Sequence, residues 1–158
     1  MQVGFDFDSF VDGYVADLSR ALATLSKADL KALFEQVLAV IDGGGTVHFI
    51  GNGGSAATPS HSAGDWSKEL GLPTLCHVDN ISSLTAWAND TSYDNIFAGA
   101  LSTWAKSGDL VVGYSRSGNS PNVLYGITKA QELCCRTASI TGAYLTAGGL
   151  YLAGLVSV

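Results

Sequence analysis

The chain has 158 residues, of which 47% are hydrophobic and 14% are charged. This length suits one domain with a substantial core, so we expect residues 1–158 to form a single domain. The formal net charge of −6 argues against nucleic acid or an anionic membrane as the main partner. No apolar run approaches the roughly 20 residues of a membrane span, and the first residues lack a signal-peptide pattern, so we expect a cytoplasmic protein.

Apolar residues recur at helical spacing over residues 5–25 and again over residues 27–41. Three consecutive glycines at 43–45 end the second pattern. We therefore expect two amphipathic helices within residues 1–42, which cover the sheet or contact a neighbouring subunit.

From residue 46 onward, strand-like and helix-like runs alternate with short connections. This alternation predicts right-handed βαβ units and a parallel sheet with helices on both faces. The strand-like runs are 46–50, 74–78, 110–114, 137–141 and 155–158. The helix-like runs are 55–70, 81–88, 93–105, 119–133 and 147–153.

A glycine-rich turn, Gly51-Asn52-Gly53-Gly54-Ser55, separates the first strand-like run from the helix-like run after it. Such a turn presents backbone N–H groups at the positive end of a helix, an arrangement that suits a phosphate. The same residues with Ala56 also fit the dinucleotide pattern G-x-G-x-x-A, and Asp79 lies where a ribose-binding carboxylate would belong. The turn alone leaves both alternatives open.

A second polar turn follows the third strand-like run and includes Ser115, Arg116, Ser117 and Ser120. Capping of the next helix would need only one of these hydroxyls. Because ligands bind beyond the carboxyl ends of parallel strands, the two turns predict one cradle for a phosphate monoester.

His61 and Asp65 lie four residues apart on a predicted helix, so their side chains share a face. This spacing suits a divalent metal or an acid/base pair, or else a simple surface ion pair. His48 and His77 lie within strand-like runs, and we expect them to be hydrogen-bonded in the core or at the end of the sheet.

Asn89 and Asp90 lie between two helical patterns. Asp90 is a candidate helix cap, and the pair is also a candidate for orienting a sugar hydroxyl.

Together these segments resemble the sugar isomerase (SIS) domain and, within that family, the phosphoheptose isomerases. The resemblance covers most of the chain from about residue 34 to residue 142. The matching pieces are the first turn, His61, Ala88-Asn89-Asp90 with Tyr93 and Phe97, Gly108-Asp109-Leu110, Ser115-x-Ser117-Gly118-Asn119-Ser120-Pro121-Asn122-Val123 and Ser139-Ile140-Thr141-Gly142.

The resemblance implies a three-layer, flavodoxin-like α/β fold with a five-stranded parallel sheet flanked by helices. Residues 1–42 would be oligomerisation helices of a homotetramer with active sites at subunit interfaces, and residues 46–158 would form the core. The family also has a C-terminal helix with a catalytic histidine and a glutamine. We find no counterpart in this sequence and expect that helix to be absent.

The family's reaction converts sedoheptulose 7-phosphate into D-glycero-D-manno-heptose 7-phosphate through an enediol. The resemblance implies a small-molecule sugar phosphate as partner, with its phosphate on Ser115, Ser117 and Ser120. Arg116, where the family tends to have threonine, would add a positive charge. The sugar would face the first turn, with Asn52, Gly53, Gly54 and Ser55 as binding residues alongside Asn89 and Asp90.

The resemblance also implies Asp65 as the base, where the family usually has glutamate, and His61 as a metal ligand or orienting group. Both residues would hold Zn²⁺. The alternative from another class is a non-catalytic SIS protein that binds phosphosugars or acts as a scaffold or regulator. A dinucleotide-binding protein is the third alternative.

Overall fold

The computed structural model describes residues 4–144 and 151–156. Within them, two helices precede a sheet whose first strands alternate with further helices. The helices are α1 (Phe7–Ala23), α2 (Lys27–Gly43), α3 (Gly54–Leu70), α4 (Ile81–Asp90), α5 (Ile96–Trp104) and α6 (Pro121–Glu132), with a 3-10 turn at Tyr93–Asn95. The strands are β1 (Val47–Gly51), β2 (Thr74–Cys76), β3 (Leu110–Ser115), β4 (Arg136–Tyr144) and β5 (Tyr151–Val156).

The strands lie in the order β2-β1-β3-β4-β5, and the first four pair in parallel. This is the flavodoxin-like order, in which the chain reverses its direction of travel across the sheet between β1 and β3. Gly51 at the end of β1 lies opposite Tyr114 of β3. The predicted α/β fold is confirmed, and both polar turns leave the sheet at the same edge.

The fifth strand differs from the prediction of a wholly parallel sheet, because β5 pairs antiparallel with β4. Only residues 145–150 separate the two strands, whereas a parallel connection needs a dozen or more residues. The predicted helix over 147–153 is therefore wrong at 151–153, which belong to β5. Residues 147–150 of that prediction, and residues 157–158 of the last predicted strand, lie outside the described residues.

The core consists of two apolar layers, one on each face of the sheet. Alternation along β1 sends Phe49 to the layer that contains Val40 of α2, and sends Ile50 to the layer that contains Phe97 and Leu101 of α5. All five side chains are almost fully buried. Helices thus cover both faces of the sheet and form the predicted three layers.

The N-terminal helix α1 leaves an apolar face exposed within the described part of the chain. Its N-cap Asp6 accepts a hydrogen bond from the Ser9 backbone N–H at 3.2 Å, yet no residue of α1 is buried. The second helix α2 buries Val37 and Val40 but leaves other apolar side chains exposed. We call the following exposed residues the α1/α2 apolar face: Phe7, Phe10, Val11, Tyr14, Val15, Leu18, Leu22, Leu30, Phe34, Leu38 and Ile41.

No helix within residues 4–144 and 151–156 combines the length and the apolar character needed to cross a bilayer.

Buried hydrogen bonds join His77 just after β2, His48 in β1 and Asp109 just before β3. His48 Nε2 lies 3.1 Å from Asp109 Oδ2, and His48 Nδ1 lies 3.0 Å from His77 Nε2. Because the carboxylate can only accept, His48 donates from Nε2 and receives a hydrogen bond from His77 on Nδ1. Both histidines are in the core, as predicted, and each one has a partner.

Burial and hydrogen bonds determine the pKa values of these three side chains. Burial lowers the pKa of His77 from 6.5 to about 4, and the neighbouring His48 lowers it further. Burial also lowers the pKa of His48, although Asp109 opposes that effect. Burial alone would raise the pKa of Asp109, but hydrogen bonds from the Thr46 and Lys106 backbone N–H groups and from His48 hold it below its usual value.

We predict that the protein loses stability as the pH falls from 7 to 5. In this range the unfolded chain protonates His77 near pH 6.5 while the folded chain keeps it neutral, so protons favour unfolding. The shift of His77 corresponds to a loss of about 2 kcal/mol in the free energy of unfolding. Urea unfolding at both pH values, at one fixed protein concentration, measures it.

His77→Gln should reduce that pH dependence, although it also lowers stability at pH 7. His61→Ala serves as the matched control, because His61 is exposed and lies outside these buried hydrogen bonds. An equal fall in stability for wild type and His77→Gln would contradict the assignment to His77.

Candidate functional site

The first polar turn depends on two glycines for its shape. A Cβ on Gly51 would lie 2.0 Å from the carbonyl oxygen of Ser55 and 3.0 Å from that of Tyr114. Gly53 has φ of 54° and ψ of −122°, a backbone conformation that side chains rarely adopt. Ser55 then donates its backbone N–H to the Asn52 carbonyl at 2.9 Å, and α3 begins at Gly54. The turn can therefore approach β3 closely.

The second turn brings three serine hydroxyls to the start of α6. The Gly118 N–H donates to the Ser115 carbonyl at 3.1 Å, and the Asn119 N–H donates to Ser117 Oγ at 3.2 Å. Ser120 is the N-cap residue of α6 but makes no side-chain capping bond, and its Oγ instead lies 3.1 Å from Ser115 Oγ. Helix capping does not explain why Ser120 is a serine.

A cavity of about 200 Å³ lies between the two turns. We call it the cradle. Its wall includes six of the predicted binding residues together with one aromatic residue of β3. The lining residues are Asn52, Ser55, Tyr114, Ser115, Arg116, Ser117 and Ser120.

The cradle presents neutral donors beside one cationic side chain. Hydroxyl groups and the positive end of α6 suit an oxyanion, and Arg116 adds a full charge. Burial raises the pKa of Tyr114, although a hydrogen bond with Ser62 opposes that effect. This chemistry suits an oxyanion such as a phosphate group and does not suit a purely apolar ligand.

Four predicted binding residues do not line the cradle. Gly53 and Gly54 shape the first turn but are absent from the wall of the cavity. Asn89 Nδ2 donates to Asp90 Oδ1 at 2.8 Å, and both residues are exposed. Asp90 lines a separate depression beside Trp87. The sheet edge thus gathers the serines and Asn52 but leaves the Asn89–Asp90 pair outside.

His61 and Asp65 face solvent on α3. His61 Nε2 lies 3.4 Å from Asp65 Oδ2, and the two side chains are 83% and 59% exposed. At 1.5 Å per residue, Asp65 lies roughly 15 Å along α3 from Ser55 at the cradle. Within one chain, the predicted base therefore lies well away from the Ser55 end of the cradle.

The residues that would hold a metal supply only part of a coordination shell. His61 and Asp65 are donors of the type that zinc prefers, but tetrahedral zinc needs four ligands. Within residues 4–144 and 151–156, no three His, Cys, Asp or Glu side chains group together as a metal site. The described chain alone does not fit a zinc ion.

Two further residues contact Asn52 of the cradle, and neither contact is predicted from the sequence. Asn122 of α6 exchanges a pair of hydrogen bonds with Asn52, and Tyr93 Oη donates to Asn52 Oδ1 at 3.1 Å. Both belong to the motifs that carry the resemblance. No local pattern indicates a partner for Asn122 that is 70 residues away.

A larger groove of about 720 Å³ lies elsewhere, between α3 and the edge strand β2. Its wall includes Asp79, whose Oδ1 accepts a hydrogen bond from Ser60 Oγ at 2.7 Å. A carboxylate disfavours a phosphate there. The strand order also differs from the dinucleotide-binding order 3-2-1-4-5-6. The groove is thus a poorer anion site than the smaller cradle.

The chain matches the model of the SIS domain over residues 10–142. This chain belongs to the SIS domain family. Both polar turns, α3 and the start of α6 lie within the matched residues, so the cradle is part of the SIS domain.

Relatives of this SIS domain include phosphoheptose isomerases. The probable phosphoheptose isomerase of Thermoplasma volcanium is 40% identical over 134 residues, covering 82% of this chain and 68% of the relative. The phosphoheptose isomerase of Chlorobaculum parvum is 33% identical over 136 residues, covering 82% and 65%. This chain therefore spans about two thirds of the length of these relatives.

Solved structures agree with the fold. Phosphoheptose isomerase GmhA from Neisseria gonorrhoeae superposes with a TM-score of 0.78 at 28% identity, covering 85% of this chain and 72% of that one. A phosphoheptose isomerase from Francisella tularensis superposes with a TM-score of 0.75 at 22% identity, with the same coverage, and supports the fold alone.

We predict that Gly51→Ala destabilises the SIS domain by about 3 kcal/mol or more, because the new Cβ meets backbone that cannot move aside. The matched control is Gly64→Ala in the exposed middle of α3, where a Cβ meets nothing within 4 Å. That change should stabilise by about 0.5–1 kcal/mol. Thermal and urea unfolding compare the two variants, and equal stability would contradict the close approach.

We predict that Ser120→Ala weakens binding of inorganic phosphate by about 3–10-fold, because one hydroxyl leaves the cradle. Titration calorimetry or ³¹P NMR titration measures the affinity. Ser102→Ala on α5, whose hydroxyl donates to the Gly99 carbonyl, is the control and should bind phosphate like wild type. Unchanged affinity in Ser120→Ala would place the phosphate elsewhere.

Proposed function

We propose that this SIS domain is a phosphosugar isomerase that converts sedoheptulose 7-phosphate into D-glycero-D-manno-heptose 7-phosphate through an enediol. One observation carries the proposal. The serines of the second turn line the same cavity as Asn52 and Ser55 of the first turn, at the point where the strand order reverses. Relatives at 40% and 33% identity are named phosphoheptose isomerases, which supports this choice of substrate.

The phosphate would bind at the start of α6. Ser115, Ser117 and Ser120 supply hydroxyls, and Arg116 balances part of the phosphate charge. The sugar would then extend toward Asn52 and Ser55 on the other wall of the cradle. A substrate fixed at both ends keeps C1 and C2 in one place, which is what a proton transfer between them requires.

The proton transfer needs a base that the cradle of one chain does not contain. Asp65 is the proposed base, with His61 orienting it, but Asp65 lies roughly 15 Å along α3 from Ser55. An extended heptose phosphate, with carbon–carbon bonds of about 1.5 Å, is roughly 10 Å long. We therefore propose that Asp65 and His61 act on a substrate held in the cradle of a second copy of the chain.

The α1/α2 apolar face supports an assembly that would bring two copies together. Eleven large apolar side chains on two helices are exposed there, an unusual surface for a monomer. A homotetramer that buries this face is the assembly we propose. With a sugar phosphate as substrate, we also propose a cytoplasmic location.

Zinc is a proposed cofactor. His61 and Asp65 would hold two of its positions, and further ligands would have to come from outside the described residues or from another copy. Zinc in that place would polarise a substrate oxygen as a Lewis acid.

A second candidate is a non-catalytic phosphosugar-binding protein that acts as a scaffold or regulator. The exposure of His61 and Asp65 favours it, as does the aspartate where the family usually has glutamate. The cradle is the same in both proposals. The two proposals differ only in whether proton transfer follows binding.

We predict that the chain isomerises sedoheptulose 7-phosphate, assayed with and without added zinc, and that Asp65→Ala lowers kcat/KM at least about 100-fold. Asp65→Glu is the matched variant, since it keeps the carboxylate and adds one methylene of reach. It should retain activity. Binding of the sugar phosphate without turnover would support the non-catalytic alternative instead.

Mixed oligomers test the proposed division of the site. Asp65→Ala and Ser120→Ala subunits, each defective alone, are unfolded together and refolded as hybrids. If each site is built from two copies, some hybrid sites combine the intact cradle of an Asp65→Ala subunit with the intact Asp65 of a Ser120→Ala subunit, and activity is regained at those sites. If both groups act within one chain, every site in a hybrid keeps one defect, and the activity does not exceed the average of the two single variants.

A further inference from the structure

The side-chain amide of Asn52 is held by two neighbours before any ligand arrives. Asn52 Nδ2 donates to Asn122 Oδ1 at 2.8 Å, and Asn122 Nδ2 donates back to Asn52 Oδ1 at 2.8 Å. Tyr93 Oη donates to the same Asn52 Oδ1 at 3.1 Å. This arrangement joins the first turn, the 3-10 turn and α6.

The backbone of α6 determines which way the Asn122 amide points. Asn122 Oδ1 also accepts the backbone N–H of Val123 at 3.0 Å, and Asn122 is only 1% exposed. A rotated amide would place its NH₂ group against that N–H. Because a backbone N–H can only donate, the carbonyl oxygen of Asn122 must face it.

The orientation of Asn122 then fixes the orientation of Asn52. With Asn122 Oδ1 committed to the side of Val123, Asn52 must turn its Nδ2 toward that oxygen and its own Oδ1 toward Asn122 Nδ2. Two donors, Asn122 and Tyr93, engage both lone pairs of Asn52 Oδ1. Among the described contacts, one Nδ2 proton of Asn52 remains for a ligand.

We propose that Asn122 is a positioning residue that fixes the Asn52 amide as a hydrogen-bond donor to an oxygen of the bound sugar phosphate. Tyr93 supports the same orientation, because its hydroxyl donates to the same oxygen of Asn52. The proposal rests on the proposed function in taking the cradle as the sugar-phosphate site. The proposal makes the Asn52 side chain a hydrogen-bond donor toward the ligand. The ligand atom that contacts Asn52 Nδ2 is therefore an oxygen that accepts this hydrogen bond.

Binding to two probes separates positioning from damage to α6. Asn122 lies in the first turn of the helix that carries the phosphate end of the cradle, so general damage would weaken inorganic phosphate binding too. We expect Asn122→Ala to weaken sedoheptulose 7-phosphate binding about tenfold and to leave inorganic phosphate binding within about twofold of wild type. Equal loss for both probes would overturn the positioning role.

A double-mutant cycle tests whether Asn122 acts through Asn52. If it does, Asn122→Ala should have little further effect on sugar-phosphate affinity in an Asn52→Ala background. Additive losses would overturn the proposal. Tyr93→Phe, at an exposed position with little risk to folding, should weaken binding about threefold. Asn95→Ala is the control, since the Asn95 side chain makes no capping bond at α5.

An NMR measurement on the ligand-free protein keeps the test independent of the proposed substrate. The Asn52 Nδ2 proton that donates to Asn122 should exchange slowly with water in wild type and quickly in Asn122→Ala. Slow exchange in both would overturn the fixed orientation. Absence of any sugar-phosphate binding by wild type would instead contradict the proposed function, and the exchange result would still decide the role of Asn122.

Discussion

Parallel pairing of β1 with β3 places Gly51 opposite Tyr114, so the turns after both strands leave the sheet at one edge. The helices that follow, α3 and α6, pack on opposite faces of the sheet but begin at this same edge, with their positive ends toward the space between the turns. Shifting this pairing would separate Asn52 and Ser55 from the serines. The cradle exists because two distant segments share one strand register.

Two features stabilise this arrangement of the strands and turns. The absence of a side chain at Gly51 lets the first turn lie against Ser55 and β3. Farther from the turns, buried hydrogen bonds among His77, His48 and Asp109 join the residue after β2, strand β1 and the residue before β3. The rigid sheet thus determines where the donors lie, and a net negative chain can still present a site for an anion because its donors are mostly uncharged.

The sequence predicted features that depend on local pattern. Hydrophobic periodicity identified the alternating strands and helices, and glycines and serines after strands identified the two turns. Hydrophobic periodicity did not predict the direction of β5. That direction depends on the length of the connection from β4, which apolar periodicity does not reveal. Local pattern also does not predict the pairing of Asn52 with Asn122, since the two residues meet only after the sheet has formed.

Asn89, Asp90, His61 and Asp65 illustrate a different limit. The four-residue spacing of His61 and Asp65 correctly predicted that they share one helix face. Neither this pair nor the pair of Asn89 and Asp90 lines the cradle of its own chain. Helical spacing gives neighbours within a helix but not the distance to another element or another subunit. Their proposed roles depend on how copies of the chain assemble, and the exposed α1/α2 apolar face is the feature that points to such an assembly.

The most direct test is a crystal structure of the protein with bound sedoheptulose 7-phosphate. The account predicts phosphate oxygens within hydrogen-bond distance of Ser115, Ser117 and Ser120, a sugar oxygen accepting from Asn52 Nδ2, and Asp65 of a neighbouring copy beside C1 and C2. A phosphate bound in the groove beside Asp79, or a sugar with its C1 end far from every Asp65, would contradict it.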